Sequence, residues 1–270
     1  MYEQFWGLKS LPFENTPDPD FFFESEAHGE VLARMGYVLQ SRKACGVLTG
    51  VYGCGKTLIM NTLRRRFTPE GYRFAFVSNP RLSDTDLLRM ILYAWSSAEI
   101  PAQKGDILMS LQKVITQTHN DGKYPVVVID EAHAIEDPNV FEELRLLLNF
   151  QTENKALMTL FLSGQPELKG KIESNKQFNQ RVNIKCYLGP FGQEDSARYM
   201  FHRLETAGSK GQIFDDEAIA AVFQRSGGIP RWINNIAHMA MMVAFAKKQR
   251  LITSEQVKEA VETLNGSDVA

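Results

Sequence analysis

Cysteine is scarce in this sequence, which has three cysteines among 270 residues. They are Cys45, Cys54 and Cys186. Their number is odd and their spacing matches no metal-ligand pattern, so the sequence argues against a disulfide framework and against a zinc site. Reduced thiols are therefore expected.

Long apolar runs and an excess of one charge sign are missing as well. No run approaches the roughly 20 apolar residues that cross a bilayer, and the opening MYEQFWGLKS lacks the order of a signal peptide. These absences predict a cytoplasmic protein. The 30 lysines and arginines nearly balance the 32 aspartates and glutamates, so no whole-chain basic field points to nucleic acid or to an anionic membrane. A local basic patch is compatible with this balance.

The composition is that of a globular protein, with 44% hydrophobic and 23% charged residues. Its length allows one large domain or two modest ones. Apolar and β-branched runs alternate with helical patterns, which predicts an α/β fold with a mostly parallel five-stranded sheet flanked by helices. The predicted strands are CGVLT before the Gly-rich loop, RFAFVSN up to Asn79, YPVVVID up to Asp130, MTLFLSG up to Gly164 and VNIKCYL before Gly189.

The pattern after Gly189 is helical only. Four helical segments follow, namely QEDSARYMFHRLETAG, DDEAIAAVFQRS, PRWINNIAHMAMMVAFAKKQ and TSEQVKEAVETLNG. The last opens with a capping-box pattern, in which Thr253 or Ser254 precedes Glu255 and Gln256. We therefore predict a P-loop α/β domain over residues 1–190 and a small all-helical lid domain over residues 191–270.

The stretch GVYGCGKT has the complete spacing of a phosphate-binding P-loop, with a predicted strand before it and a predicted helix after it. Glycines in such a loop let backbone N–H groups surround a phosphate, and the following helix adds its positive end. The lysine then reaches the β and γ oxygens, and the threonine hydroxyl ligates Mg²⁺. The predicted nucleotide-binding residues are Gly50, Gly53, Cys54, Gly55, Lys56, Thr57 and Leu58.

The strand in VVVIDEAH delivers two acids to its carboxyl end, where ligands bind in open α/β sheets. Asp130 is predicted to hold the Mg²⁺ together with Thr57, and Glu131 to orient or deprotonate the attacking water. Two acids after a strand are also typical of a solvated helix cap. The P-loop is what favours the catalytic interpretation. With Glu131 present, His133 is expected only at the periphery of the site.

Two further strand ends carry polar side chains. Asn79 either hydrogen-bonds Glu131 and holds it inactive, or forms a turn before Pro80. After the fourth strand, either Ser163 or Gln165 is expected to sense the γ-phosphate, and the edge position favours Gln165.

Two arginines stand out by their positions. Arg181 precedes the fifth strand, where an arginine can reach from its own subunit towards a neighbour's nucleotide. Arg231 begins a helix after GGIP, a placement suited to folding back onto phosphates. For each, a surface side chain with a packed stem is the alternative. Cys54 lies beside Lys56 and a helix start, which favour thiolate, although a small tolerated residue is the simpler interpretation.

Together these motifs resemble the AAA+ ATPases, and within them the family of general secretion pathway protein A with its relatives in type IV pilus biogenesis. The resemblance covers essentially the whole chain. It rests on FWGLKSLPFENTPDPDFFF, GVYGCGKT, VVVIDEAH, EELRLLLNFQTE, SGQPEL, NQRV and GGIPRWIN.

The resemblance implies an ATPase that uses ATP and Mg²⁺, oligomerises on ATP, and works with an inner-membrane partner of a secretion or pilus machine. It implies Arg181 as a finger acting in trans and Arg231 as a lid sensor. It also implies that the segment around Leu11, Pro12 and Phe13 packs near the adenine, whereas the residues alone are equally compatible with core packing.

The sequence departs from the family at Tyr52 and Cys54, where smaller or hydroxyl residues are common, which leaves the rate of hydrolysis open. Secretion members continue into a membrane span, so anchoring is expected through such an extension or through a partner. Two other functions stay open: a DNA-bound AAA+ regulator of transposition or an initiator-type loader, and a nucleotide-gated scaffold with negligible turnover.

Overall fold

The computed structural model describes residues 2–96, 99–151 and 156–266. Residues 152 and 153, which end the motif EELRLLLNFQTE, lie outside this description. The strands are β1 (Cys45–Gly50), β2 (Tyr72–Val77), β3 (Tyr124–Ile129), β4 (Thr159–Gly164) and β5 (Val182–Leu188). The helices are α1 (Glu3–Trp6), α2 (Glu26–Gln40), α3 (Lys56–Phe67), α4 (Asp84–Trp95), α5 (Lys104–Asn120), α6 (Pro138–Leu147), α7 (Glu167–Ser174), α8 (Lys176–Asn179), α9 (Gln193–Thr206), α10 (Asp216–Ser226), α11 (Pro230–Ala246) and α12 (Ser254–Gly266).

The five strands form one parallel sheet in the order β2-β3-β4-β1-β5. The predicted α/β fold with a five-stranded sheet is confirmed. Strands β1, β3 and β4 are buried along their whole length, as their near-continuous apolar runs predicted, whereas the edge strands β2 and β5 are partly exposed. Because all strands are parallel, the segments that follow β1, β3 and β4 lie together at the carboxyl end of the sheet.

The sheet belongs to a compact unit formed by Glu26–Tyr52 and Lys56–Leu188. Side chains alternate between the two faces of each strand. One face packs with α4 to α8 in a continuous apolar core, in which Val47, Val127 and Leu160 represent three of the strands. No helix among the described residues has both the length and the apolar character to cross a membrane.

A second compact unit is formed by Met1–Ser25, Gly53–Gly55 and Gly189–Ala270. Helices α9 to α12 supply most of its core. The sequence placed residues 1–25 in the α/β domain, and the structure corrects this assignment. The physical reason is aromatic burial, because Tyr2, Phe13 and Phe23 are all buried in the core of the helical unit.

Arg203 fastens the N-terminal segment within the helical unit. Its guanidinium is buried and donates to the carbonyl oxygens of Pro12 at 2.5 Å and Glu14 at 2.8 Å. It also lies over the ring of Phe21, 4.5 Å from the centroid. A buried guanidinium needs such acceptors, and here the N-terminal segment supplies them.

The capping box predicted for the last helix is present. Thr253 lies just before α12, and its hydroxyl is 3.3 Å from the amide of Glu255. The side chain of Gln256 in turn accepts the backbone N–H of Thr253 at 2.8 Å. The first turn of the helix therefore has side-chain partners for amides that the helix itself cannot satisfy.

Gly228→Ala is expected to destabilise the helical unit by roughly 2–5 kcal/mol, because it combines backbone strain with a steric clash. Gly228 has φ +73°, and a Cβ there would lie 2.0 Å from the carbonyl oxygen of Phe191. Gly227→Ala is the matched control, since Gly227 also has positive φ but nothing lies within 4 Å of the position that a Cβ would take there. Denaturant unfolding followed by circular dichroism measures both. Equal losses in the two variants would contradict the role of the Phe191 contact.

Candidate nucleotide site

Strand β1 ends in a loop whose glycines are required by the local geometry. A Cβ on Gly50 would lie 2.3 Å from the carbonyl oxygen of Leu188, the residue that also accepts the backbone N–H of Val51 at 3.2 Å. Gly53 and Gly55 have φ of +84° and +96°, which side-chain-bearing residues rarely adopt. The spacing read from the sequence thus corresponds to a turn that only glycine accommodates at these positions.

Lys56 is the first residue of α3 and is 6% exposed. Its ammonium group donates to the carbonyl oxygens of Gly50 and Val51, each at 3.0 Å. The loop carbonyls therefore hold the Lys56 side chain. Its positive charge lies beside the backbone that the sequence predicts to bind phosphate. Leu58, two residues further along α3, is half-buried.

Thr57 and Asp130, the two predicted Mg²⁺ ligands, are in direct contact. The threonine hydroxyl donates to Asp130 Oδ2 at 2.5 Å. Asp130 is 5% exposed, and its backbone N–H bonds to the carbonyl of Val77, which fixes it at the end of β3. A hydroxyl and a carboxylate at this separation are oxygen donors of the kind that Mg²⁺ prefers, so the residues fit the ion.

Glu131 directly follows Asp130 in an uncommon backbone conformation. Its φ is +52°, in the left-handed region that a non-glycine residue adopts at a cost. Its amide donates to Asp130 Oδ1 at 3.0 Å, and its side chain is 38% exposed. Glu131 Oε2 lies 3.3 Å from His133 Nδ1. The turn thus separates the two acids, with Asp130 buried and Glu131 reaching outward.

Asn79 makes the turn that was one of its two predicted roles. Its side-chain oxygen accepts the backbone N–H of Arg81 at 3.3 Å. The structure thereby gives Asn79 a local partner, and in the described part of the chain its side-chain bond goes to Arg81 rather than to Glu131.

The two candidates after β4 differ in their surroundings. Ser163 is fully buried within the strand, and its hydroxyl lacks a hydrogen-bond partner among the described residues. Gln165 is half-buried just beyond the strand, with its side-chain nitrogen 3.1 Å from His133 Nε2. Gln165 is thus the one that the structure brings to Glu131, through His133.

Arg181 lies at the amino-terminal end of the parallel strands, whereas the P-loop follows the carboxyl end of β1. It precedes β5, whose first residue, Val182, pairs with Cys45 at the start of β1. Since β1 ends at Gly50, about 17 Å of strand, at about 3.3 Å per residue, separates the two ends. The Arg181 guanidinium donates to Asn149 Oδ1 at 2.8 Å. A contact with the P-loop of its own chain is therefore out of reach.

Arg231 lies in the first turn of α11 in the helical unit, and the P-loop residues Gly53–Gly55 are part of that unit. The backbone N–H of Arg231 donates to the carbonyl of Gly53 at 3.2 Å. A Cβ on Gly53 would lie 2.8 Å from the Arg231 Cβ atom. Cys54 in the same segment is fully buried, as expected of a small packed residue rather than of a reactive thiol.

The Phe13 ring is 2% exposed and packs edge-on against Phe214, with 6.0 Å between centroids. This burial agrees with core packing, and the adenine contact that the resemblance implies for this segment stays a prediction. Core packing, the alternative for this residue, describes what the structure shows.

One residue in this region was not predicted from the sequence. Lys171 on α7 donates to the carbonyls of His133 and Ile135, at 2.5 and 2.6 Å. It therefore clamps the turn that follows the two acids. A lysine 38 residues away from His133 in sequence carries no local signal of such a role.

Comparison with known proteins supports the assignment of the fold. Residues 39–172 match the AAA domain family. The chain is 35% identical over 273 aligned residues to general secretion pathway protein A of Aeromonas hydrophila, an alignment that covers 98% of this chain and 49% of that protein. The chain thus spans about half the length of this curated relative. The resemblance predicted from the motifs is confirmed.

Solved structures share the architecture at low sequence identity. Cdc6p from Pyrobaculum aerophilum matches with a TM-score of 0.73 at 15% identity, over 91% of this chain and 71% of that chain. The Aeropyrum pernix ORC1 protein, solved in complex with DNA, matches with a TM-score of 0.68 at 17% identity, over 88% of this chain and 64% of that chain. At such identities these structures show a shared fold alone.

Proposed function

We propose that this AAA+ protein binds ATP with Mg²⁺, hydrolyses it to ADP and phosphate, and uses the cycle to assemble or regulate cell-envelope machinery. The observation that carries the ATPase part is the arrangement at the end of β1 and β3. A buried lysine lies in the loop, a threonine touches a buried aspartate, and a glutamate extends from the next residue. Each has the chemistry that phosphoryl transfer to water requires.

In this proposal some residues neutralise the charge of the phosphates and others position the attacking water. Lys56 exchanges its bonds to the loop carbonyls for the β and γ oxygens of ATP. Thr57 and Asp130 hold Mg²⁺, which neutralises negative charge on the phosphates when it is bound. Glu131 orients a water molecule and accepts its proton as the water attacks. Gln165 senses the γ-phosphate, and Arg231 in the lid contacts the bound nucleotide. The boundary between the ATPase domain and the lid lies near residue 190.

The cellular role is proposed from the relative named general secretion pathway protein A. We infer that the protein acts in the cytoplasm, oligomerises, and meets an inner-membrane component of a secretin or type IV pilus machine. In this proposal a neighbouring subunit completes the ATPase site, and the bound nucleotide thereby controls assembly.

One observation favours a second function, DNA binding. Among the described residues, seven basic side chains lie at or near the amino-terminal ends of β1, β2 and β3 or in the last turn of α3, which ends on the same side of the sheet. They are Arg42 and Lys43 before β1, Arg64, Arg65 and Arg66 in the last turn of α3, Arg73 in β2 and Lys123 before β3. On a chain with a formal charge of -2 this is a concentrated basic edge that suits a phosphate backbone.

Light-scattering mass tests these functions together. We expect the Glu131→Gln variant to form an oligomer with ATP and Mg²⁺, with or without duplex DNA or peptidoglycan fragments. Assembly that requires DNA would replace the envelope role by the DNA-bound one. A monomer under every condition would contradict the proposed oligomer.

Arg181→Ala is expected to leave ATP affinity unchanged while it removes the hydrolysis that depends on assembly. The reason is that Arg181 lies at the edge of the sheet opposite its own P-loop, so only a neighbour's nucleotide can receive its charge. The measurement is phosphate release as a function of protein concentration. Arg34→Ala, which removes an exposed arginine paired with Glu30, is the control. Unchanged turnover in Arg181→Ala would rule out the finger role.

A further inference from the structure

His133 connects two side chains that the sequence assigns to the reaction. Its Nδ1 atom lies 3.3 Å from Glu131 Oε2, and its Nε2 atom lies 3.1 Å from the side-chain nitrogen of Gln165. We propose that His133 is a positioning residue that orients the Glu131 carboxylate and is itself oriented by Gln165. This inference rests on the proposed ATPase function and names what controls the glutamate within it.

In this proposal the two side-chain contacts are made by one tautomer of His133. With its hydrogen on Nδ1, the ring donates to Glu131 and accepts an amide hydrogen from Gln165 at Nε2. The backbone N–H of Gln165 also lies 3.3 Å from Nδ1, where it would prefer the other tautomer. In this proposal the side-chain amide of Gln165, which donates to Nε2, outweighs that backbone contact and favours the form of the ring that donates to Glu131. Gln165 thereby sets the direction of the whole chain of hydrogen bonds.

The ring is held in place from two further sides. Gly164 approaches it so closely that an added Cβ would lie 3.0 Å from the backbone nitrogen of His133 and 3.3 Å from Nδ1. Lys171 fixes the carbonyls of His133 and Ile135. The imidazole therefore offers a fixed donor, as a positioning group must.

A fixed donor matters because the Glu131 side chain can adopt several rotamers. A partly exposed glutamate side chain samples many rotamers, and confining it costs conformational entropy. A bond from His133 to Oε2 confines it in advance and leaves Oε1 to accept the proton of the attacking water. Asn79 bonds to Arg81 in its own turn, so His133 is the side chain that the structure offers for this task.

Three variants separate the parts of this arrangement. His133→Phe keeps a ring but removes both nitrogens, and we expect the single-turnover rate to fall about ten- to a hundred-fold while the Kd for ATP stays unchanged. His133→Asn retains an amide donor near the position of Nδ1 and should restore part of the rate. Adding Gln165→Ala to His133→Phe should lower the rate by a smaller factor than Gln165→Ala does in the wild type, since the ring that Gln165 orients is already gone. A wild-type rate in His133→Phe, or no recovery in His133→Asn, would overturn the inference.

Nitrogen NMR of labelled histidine rings tests the same arrangement without turnover. The His133 signals are identified by their loss in His133→Phe. We expect the Nδ1–H tautomer in the wild type and a shift towards Nε2–H in Gln165→Ala. An Nε2–H ring in an active wild-type protein would overturn the inference alone. A wild type that turns over no faster than Lys56→Ala would instead overturn the ATPase proposal, and the role of His133 in the reaction with it.

Discussion

Lys56→Ala is expected to abolish measurable ATP binding. Lys56 is buried, and its ammonium is the cation that the loop holds ready for the phosphates. Truncating a buried, hydrogen-bonded charge at a binding site costs about 2–5 kcal/mol, which weakens Kd by roughly 30- to 4,000-fold. Titration with a fluorescent ATP analogue measures this loss, and hydrolysis and nucleotide-dependent assembly should disappear with it.

A matched control separates lost binding from lost folding. Lys169→Ala removes an exposed lysine from the same α/β unit and should bind nucleotide like the wild type. In Lys56→Ala the carbonyls of Gly50 and Val51 lose a donor, a cost to stability of about 1–3 kcal/mol that denaturant unfolding can measure. A folded Lys56→Ala protein that binds ATP with wild-type affinity would contradict the P-loop assignment.

The parts of the site that the sequence predicts well are those encoded in short continuous stretches. GVYGCGKT specifies its own turn, because glycine spacing and the following helix are local properties. The end of β3 is similar, since an apolar run followed by two acids needs only the sheet to place Asp130. The contact between Thr57 and Asp130 then follows from strand order, as β1 and β3 both deliver their ends to one edge.

The parts that failed or stayed open depend on tertiary packing. An aromatic N-terminal segment needs a partner surface, but nothing in its own residues identifies that surface as the helical unit, where Phe13 meets Phe214. Asn79 carries equal signals for a turn and for a contact with Glu131. The link from Gln165 through His133 to Glu131 spans 34 residues of sequence, and the tautomer that gives it meaning is a property of the assembled site.

Glu131→Gln is expected to bind ATP normally and to lower turnover by about 10²–10⁴-fold. Glutamine has the same shape and its side-chain oxygen still accepts a hydrogen bond, so the contact with His133 persists. What it lacks is the capacity to take a proton from water. On the same preparation, nucleotide affinity should therefore equal that of the wild type, whereas single-turnover phosphate release should be strongly slowed. Glu136→Gln is the control, because Glu136 lies in the same segment after β3 but is exposed and paired with Arg81.

The comparison of this variant with Lys56→Ala decides what nucleotide does for the protein. If ATP binding alone drives assembly, Glu131→Gln accumulates the assembled state whereas Lys56→Ala never reaches it. A Glu131→Gln protein that hydrolyses ATP at the wild-type rate would show that another group takes the proton. The wild type decides the remaining case, because phosphate release no faster than that of Glu131→Gln would leave binding as the whole activity, as in a nucleotide-gated scaffold. Measurable turnover that depends on Glu131 identifies a motor or switch.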